Sequence, residues 1–256
     1  RTPPATLKYW QEKFGLADYT TEALAPYFQQ AEDRLNIAPW QTSPNENNEL
    51  LRRGAAKLGI KAEVIPRNVK GCYNLGSCGM GCPVNAKQSM LVTTIPFALD
   101  GGATLLVETR AEKFEISNGR VQSLSCIAVK PNAAPANANG VATQIVAKHY
   151  VLAGGSINSP ALLLRSKAPD PHKQLGTRTF LHPVAITTAI MANTVKAWDG
   201  APQSIYSDHY LNTQPIDGPI GFKLEVAPLH PVFFGANLPG FGEKQANLFR
   251  QYPNAN

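Results

Sequence analysis

The first sixty residues carry apolar side chains at intervals of three and four positions, which is the period of an amphipathic helix. This spacing predicts a helix over residues 5–14 and a second over residues 20–35, with Thr20 or Thr21 as its N-cap. A third helix is predicted to follow Ser43-Pro44 and to end at Gly59. The chain is therefore expected to open with a helical segment.

The pattern then changes, because residues 61–67 alternate between apolar and polar positions and predict a strand. A glycine- and cysteine-rich loop follows. Residues 88–99 return to helical spacing, and the predicted helix stops at Asp100-Gly101-Gly102.

Asn118-Gly119 is the strongest short hairpin signal in the chain, and it stands between predicted strands at 112–117 and 120–129. Residues 131–140 form a polar, low-complexity stretch, which is expected to be a mobile hairpin tip. Residues 141–148 are predicted to return as the next strand. The three strands predict an antiparallel meander.

An apolar run, residues 149–153, ends in two glycines and is followed at once by a helical pattern that continues to Ser166. This order predicts a strand, a tight turn at Gly154-Gly155 and a helix whose N-cap is Ser156, Asn158 or Ser159. Pro160 is suited to the first turn of that helix. Glycines let a ligand approach the backbone closely, and a helix N-terminus favours an anion or a polar edge. The bare pattern is equally typical of a structural turn.

Beyond His182-Pro183 the pattern predicts strands and a final helix. The strands are expected at 184–191, 204–211 and 220–226, which suits the beginning of an antiparallel sheet. The helix is expected at 244–252.

Composition narrows the class of protein only moderately. The chain has 256 residues, 43% hydrophobic and 16% charged, with a net charge of +6. Its Lys and Arg residues are scattered, which argues against a nucleic-acid-binding surface. No apolar run approaches the roughly 18 residues of a transmembrane helix. No signal-peptide pattern is visible, and the chain opens at Arg1 rather than at a Met. Either an N-terminal segment was removed or this is an excerpt, so the sequence does not indicate the cellular compartment.

Three of the four cysteines lie in one loop, at positions 72, 78 and 82, while Cys126 lies in a predicted strand. Zinc and iron–sulfur sites use paired C-x2-C spacings and a fourth ligand, and neither is present. We therefore predict no metal site. The sequence leaves open whether a Cys72–Cys82 or Cys78–Cys82 disulfide forms. It favours a structural role for these cysteines in a tight loop.

Two segments, taken in order, resemble the glucose–methanol–choline (GMC) family of FAD-dependent oxidoreductases. The first is the Cys/Gly-rich loop from Gly71 to Ser89, in which Ala86-Lys87 leads into a helix. The second begins Ala153-Gly154-Gly155-Ser156 and is similar to the family's second signature. The Gly that usually closes that signature is Lys167 here. The resemblance covers residues 1–185 well and the remainder loosely.

The resemblance implies FAD as the cofactor and oxidation of an alcohol CH–OH group by hydride transfer to the flavin. Lys113 lies in a strand similar to one that contacts adenine through main-chain groups in the family. The resemblance also implies that the Ala153-Gly154-Gly155 turn faces the adenine–ribose end of FAD. The cofactor-binding candidates are therefore Lys113, Ala153, Gly154, Gly155 and Ser159.

The implied fold class is mixed α/β (α+β), with part of a flavin-binding Rossmann-like domain that contains a β-meander, followed by the start of an antiparallel-sheet substrate domain. The expected domains are a helical segment on the substrate side (1–60), a partial FAD-binding domain (61–185) and the start of the substrate-binding domain (186–256).

Two parts of a complete flavoenzyme are missing from the sequence. No GxGxxG turn follows a strand, since Gly79-Met80-Gly81 follows a loop. None of the five histidines has the context of the family's catalytic base, although His182 and then His209 come nearest. We assign no catalytic residue and expect other chains or segments to supply the missing parts beside a small-molecule alcohol substrate. The alternative is a non-catalytic α/β nucleotide-binding or interaction module.

Overall fold

A computed structural model describes residues 1–130, 143–211, 213–219 and 221–256. The predicted mobile tip at 131–140 lies outside these residues. The chain packs as two compact units, residues 1–102 with 186–256 and residues 103–185. One boundary of these units, after residue 185, coincides with a boundary of the predicted functional domains. The functions assigned to those domains stay a prediction.

Helices and strands are interspersed along the chain. The helices are α1 (Pro4–Phe14), α2 (Thr21–Arg34), α3 (Glu46–Lys57), α4 (Thr94–Asp100), α5 (Gly155–Arg165), α6 (Pro231–Asn237) and α7 (Gly242–Phe249). The strands are β1 (Ile37–Pro39), β2 (Glu63–Val64), β3 (Pro66–Asn68), β4 (Thr109–Ser117), β5 (Arg120–Ala128), β6 (Thr143–Ile145), β7 (Ile205–Ser207) and β8 (Leu224–Glu225). The mixed α/β class with antiparallel sheets is confirmed.

The predicted N-terminal helices are present, and their caps explain where two of them begin. Thr20 Oγ1 accepts a hydrogen bond from the Ala23 amide at 3.0 Å, so Thr20 is the cap of α2. Asn45 caps α3 by accepting from the Asn48 amide at 3.0 Å. Strand β1, which the sequence pattern did not predict, follows α2.

The predicted strand at 61–67 divides at Ile65 into β2 and β3, which belong to different sheets. Strand β3 pairs with β1, whereas β2 joins the sheet of β7 and β8. Ile65 links the two, because its amide donates to Ser204 O at 3.0 Å and its carbonyl accepts from the Trp40 amide at 3.3 Å.

Asn48 fastens α3 to strand β7. Its side chain is fully buried, and Oδ1 accepts from the amides of Ser204 at 2.9 Å and Ile205 at 3.2 Å. Such a buried amide is satisfied by its partners rather than by water, and its position fixes the helix against the strand.

The main cluster of buried residues in the first unit lies in its C-terminal part, around Phe234 and Tyr252. The Tyr252 ring stacks on Trp198 with centroids 4.4 Å apart, and its hydroxyl donates to Leu229 O at 2.6 Å. Burial raises the pKa of Tyr252 to about 12, so the hydroxyl keeps its proton and its hydrogen bond.

The second unit contains the predicted meander, in the order β4-β5-β6. Ser117 pairs with Arg120 across the turn, and Asn118 and Gly119 both have positive φ, 50° and 70°. Those angles belong to a type I′ turn, for which Asn-Gly is the favoured pair. The hairpin prediction is confirmed.

The helix predicted over residues 88–99 is present, but its predicted start is wrong. Helix α4 begins at Thr94, and turns occupy residues 90–93. Pro96 explains the difference, because a proline lacks an amide proton and is tolerated only in the first turn of a helix.

The predicted strand over 149–153 is also wrong. These residues form no ladder, and Val151 is 91% exposed. A strand needs a hydrogen-bonded neighbour, and no described strand lies beside this apolar run.

The C-terminal predictions are confirmed in part. Strands β7 and β8 pair antiparallel within the predicted segments but are much shorter. Residues 184–191 form only an isolated bridge between Ile190 and Ala255. Helix α6, which was not predicted, follows His230, and the final helix ends at Phe249 rather than at residue 252.

Candidate functional site

The candidate site is the glycine turn that opens helix α5. Gly155 has a φ of +78°, a conformation that side-chain-bearing residues rarely adopt. At Gly154 a Cβ would lie 3.3 Å from both the amide nitrogen and Oγ of Ser159. Glycine at 154 therefore lets the chain pack closely against Ser159, the fifth residue of the helix.

The predicted cap of this helix is wrong. Ser156, Asn158 and Ser159 all lie inside α5, the N-cap is Gly154, and no side chain caps the helix. Pro160 is likewise inside the helix rather than in its first turn. The initial amides of a helix have no intrahelical acceptor. Without a cap they can donate to a ligand or to water.

The structure brings Ala153, Gly154, Gly155 and Ser159 together but places Lys113 elsewhere. Lys113 lies in β4, where its Nζ pairs with Glu115 at 3.1 Å. Its neighbours contact the far end of α5, since the Phe114 amide donates to Ser166 Oγ at 2.8 Å. An 11-residue helix is about 16 Å long, so roughly that distance separates Lys113 from the turn.

Ser166 is a positioning residue that the sequence did not indicate. Its hydroxyl is buried, accepts from the Phe114 amide and donates to Leu162 O at 2.6 Å. Arg165 adds a bond from Nε to Glu112 O at 3.1 Å. These contacts hold α5 against the outer edge of β4 and thereby fix the direction of the helix.

The cysteine loop has a structural arrangement. Cys72, Cys78 and Cys82 are free thiols in the structure. Cys82 Sγ accepts from the Ala86 amide at 3.2 Å, and backbone amides, that of Lys87 foremost, lower the pKa of this thiol. A Cβ at Gly76 would lie 2.9 Å from Trp198 O, so the loop packs closely against residues 198–200.

In the part of the chain that the structure describes, no group of three His, Cys, Asp or Glu side chains is placed to hold a metal ion. No described helix is long and apolar enough to cross a membrane.

The sequence pattern of the GMC oxidoreductase family matches residues 1–184, which is more than half of the chain. The chain belongs to the GMC oxidoreductase family. The matched region includes the cysteine loop, the meander and the glycine turn.

Relatives extend the similarity over most of the chain. An uncharacterised GMC-type oxidoreductase of Mycobacterium tuberculosis is 29% identical over 239 residues, which cover 93% of this chain and 36% of that protein. Another, from Sinorhizobium fredii, is 28% identical over 91% of this chain and 43% of its own length. A long-chain-alcohol oxidase of Arabidopsis thaliana is 26% identical over 93% of this chain and 32% of its own length. The chain thus spans about a third to two fifths of these relatives.

The departure from the GMC signature at Lys167 lies at a conformation suited to glycine. Lys167 has a φ of 50°, and its amide donates to Leu164 O at 3.1 Å as the chain leaves α5. This left-handed position after a helix is the usual place of glycine. The structure therefore gives a physical reason for the Gly that usually closes the signature.

Lys167→Gly is expected to raise the free energy of unfolding by about 0.5–1 kcal/mol, because it removes the left-handed strain of a side-chain-bearing residue at some cost in chain entropy. The urea midpoint, with an unchanged m-value, measures it. Lys148→Gly is the control, since Lys148 is exposed and is not among the positive-φ residues. A gain of the same size in both variants would contradict this explanation.

The histidines give no assembled catalytic group. His182 is exposed on an irregular segment, and His209 packs edge-to-face on Tyr210 with centroids 4.7 Å apart. His230 precedes α6, and its Nε2 is buried without a hydrogen-bond partner among the described residues. That this chain supplies no catalytic residue stays a prediction.

The absence of a metal centre likewise stays a prediction, and elemental analysis tests it. Purified protein is expected to contain zinc and iron well below one atom per chain, because Cys72 and Cys82 use their sulfur atoms to accept backbone amides. Stoichiometric metal that is lost in a Cys78→Ser variant would show instead that the loop is a ligand set.

Proposed function

We propose that this chain carries the adenosine-side contacts of an FAD site in an enzyme that oxidises alcohols. The observation that carries the proposal is the GMC family match over residues 1–184, the region to which the family's FAD-binding domain belongs. The glycine turn supports it as the contact point.

The residues of the turn fit a polar, elongated ligand. A Cβ at Gly155 would meet no protein atom within 4 Å, so the space over this backbone is open. The uncapped amides of α5 would donate to a ligand oxygen, and the positive end of the helix dipole would favour a negative group there. Ala153 and Gly154 are exposed beside them, and Ser159 supports the turn from below.

Lys113 is proposed to contact adenine through its main chain, as its strand suggests. Because the length of α5 separates Lys113 from the turn, we propose that the two contact different parts of the same elongated ligand. The ion pair of Lys113 with Glu115 occupies its side chain and leaves the proposed role to the backbone.

The bound flavin would accept the hydride of the alcohol carbon. The residues of this chain would hold and orient the cofactor at its adenosine end.

The substrate is proposed to be an alcohol with an apolar part. Members of the family named long-chain-alcohol oxidases are among the relatives. The first unit also has an apolar cleft of about 380 Å³, a size typical of small-molecule sites. Its walls include Ile186, Ile190, Leu229, Phe233 and Leu248. A hydrocarbon chain would gain free energy by burial there.

Competition between the two halves of FAD tests the proposal. The protein is titrated with FAD by equilibrium dialysis in the presence of AMP or of FMN. AMP is expected to displace FAD, because it presents the adenosine half, while FMN is expected to leave the affinity unchanged. Displacement by FMN alone would place the contacts at the flavin half. If the full-length protein bound the nucleotide but oxidised no alcohol, the alternative of a non-catalytic binding module would be favoured.

A further inference from the structure

A cleft lies on one face of the two-stranded ribbon formed by β1 and β3. Ala38 and Arg67 lie opposite each other across the ribbon, and the flanking residues Asn36, Trp40 and Val69 also line the cleft. Arg67 is the direct partner of Ala38, whose small side chain leaves room above the centre of the ribbon. The cleft measures about 300 Å³ and is completed by Pro39, Gln41, Thr42, Lys70, Gly71 and Cys72.

The cleft is positively charged and has no acidic wall. Arg67 and Lys70 are the charged residues among its lining, and neither forms an ion pair with an acidic side chain in the described parts of the chain. Arg67 donates through Nη1 to Pro202 O, and its Cζ lies 5.0 Å from the centroid of the Trp40 ring. These two contacts hold the guanidinium in place and leave several of its N–H groups available.

Trp40, which lines the same cleft, carries an unsatisfied donor. Its Nε1 is buried and has no hydrogen-bond partner among the described residues. A buried N–H without an acceptor is destabilising, and native proteins seldom leave one so. A ligand would satisfy it if one of its acceptor oxygens enters deeply enough to reach Nε1.

We propose that the β1–β3 cleft binds the phosphate or carboxylate group of a small organic anion, with Arg67, Lys70 and the Trp40 indole as its donors. Two cations, one of them held in place, and a neutral donor suit a group that carries several oxygen acceptors and a negative charge. The volume exceeds that of the charged group alone, so the ligand has room for an organic part. This site does not depend on the proposed FAD contacts, which lie in the other unit.

The test uses ¹⁵N-labelled protein titrated with sodium phosphate or with sodium acetate at constant pH and ionic strength. The indole resonance of Trp40, assigned with Trp40→Phe, is expected to shift saturably while those of Trp10 and Trp198 do not move. Saturation with phosphate only, with acetate only or with both supports the site and identifies the charged group that it accepts. Saturation with neither overturns the proposal.

Two lysine variants separate the cleft from general attraction to a basic protein. Lys70→Gln is expected to weaken binding about fivefold, as for an exposed charge contact at the upper end of its usual strength. Lys57→Gln, which removes an exposed charge from the end of α3, is expected to change it less than twofold. Equal weakening by both variants overturns the proposal. Because Lys70 is exposed and unpaired among the described residues, its variant keeps the fold even where a Trp40 variant does not.

Discussion

Gly155→Ala is expected to weaken FAD binding about tenfold or more. The new Cβ would meet no protein atom within 4 Å, so it would extend into the open space that the proposed ligand occupies. Forcing an extra methyl group into a tight contact costs roughly 1–3 kcal/mol, and each 1.4 kcal/mol is a factor of ten in affinity. Equilibrium dialysis against FAD measures the change.

Gly119→Ala is the matched control for this variant. Gly119 also has a positive φ, 70°, and open space around its missing Cβ, but it lies in the hairpin turn. Both variants should lose about 1 kcal/mol of stability from backbone strain. Only Gly155→Ala should lose FAD affinity, and an equal loss in both would reduce the turn to a structural feature.

Gly154 is a poorer position for this experiment. A Cβ there would lie 3.3 Å from Ser159 Oγ and from Asn158 Cβ even without a ligand. A Gly154→Val variant would therefore disturb the first turn of α5 directly, and weaker FAD retention could not be assigned to lost ligand contact.

Features that depend on neighbouring residues could be predicted from the sequence. Thr20 caps α2 through an amide three residues away, and the Asn118-Gly119 turn fixes the hairpin register within four residues. The glycine turn before α5 is local in the same sense, because Gly155 supplies the positive φ that the chain needs there. These signals act over one turn of backbone.

Features that depend on distant partners could not be predicted. Asn48 accepts amides more than 150 residues away, and nothing in α3 alone indicates that burial. The cleft donors Trp40 and Arg67 meet only because β1 pairs with β3. The run 149–153 has the composition of a buried strand, but composition cannot supply the neighbouring strand that would complete it.

The candidate site shows the same division. The turn itself was predicted, whereas the relation of the turn to Lys113 was not, because Ser166 and Arg165 set it by fixing α5 on the edge of β4. Sequence similarity indicated each segment separately. With the length of α5 between them, the two proposed contacts would lie at different points along a ligand rather than at one point.

Residues 1–256 alone are expected to elute from gel filtration colourless and to show no alcohol-dependent dye reduction. The chain has no strand–GxGxxG–helix turn for the pyrophosphate, and none of its histidines has the context of a catalytic base. The proposed adenosine contacts would supply only part of the binding energy, so FAD should bind weakly and dissociate on the column. Absorbance near the flavin bands and a dye-reduction assay with a long-chain alcohol measure both properties.

Exposed apolar side chains give this expectation a second, physical basis. Val151 is 91% exposed, and Phe180 and Leu181 are 85% and 87% exposed, within the unit that carries the turn. Large apolar side chains that are this exposed favour association with further protein, because burial removes their surface from water. The isolated chain should therefore also self-associate at high concentration, which sedimentation would detect. A yellow, active and monomeric product would contradict the expectation, and His182→Gln and His209→Gln would then be the first variants to examine for loss of turnover.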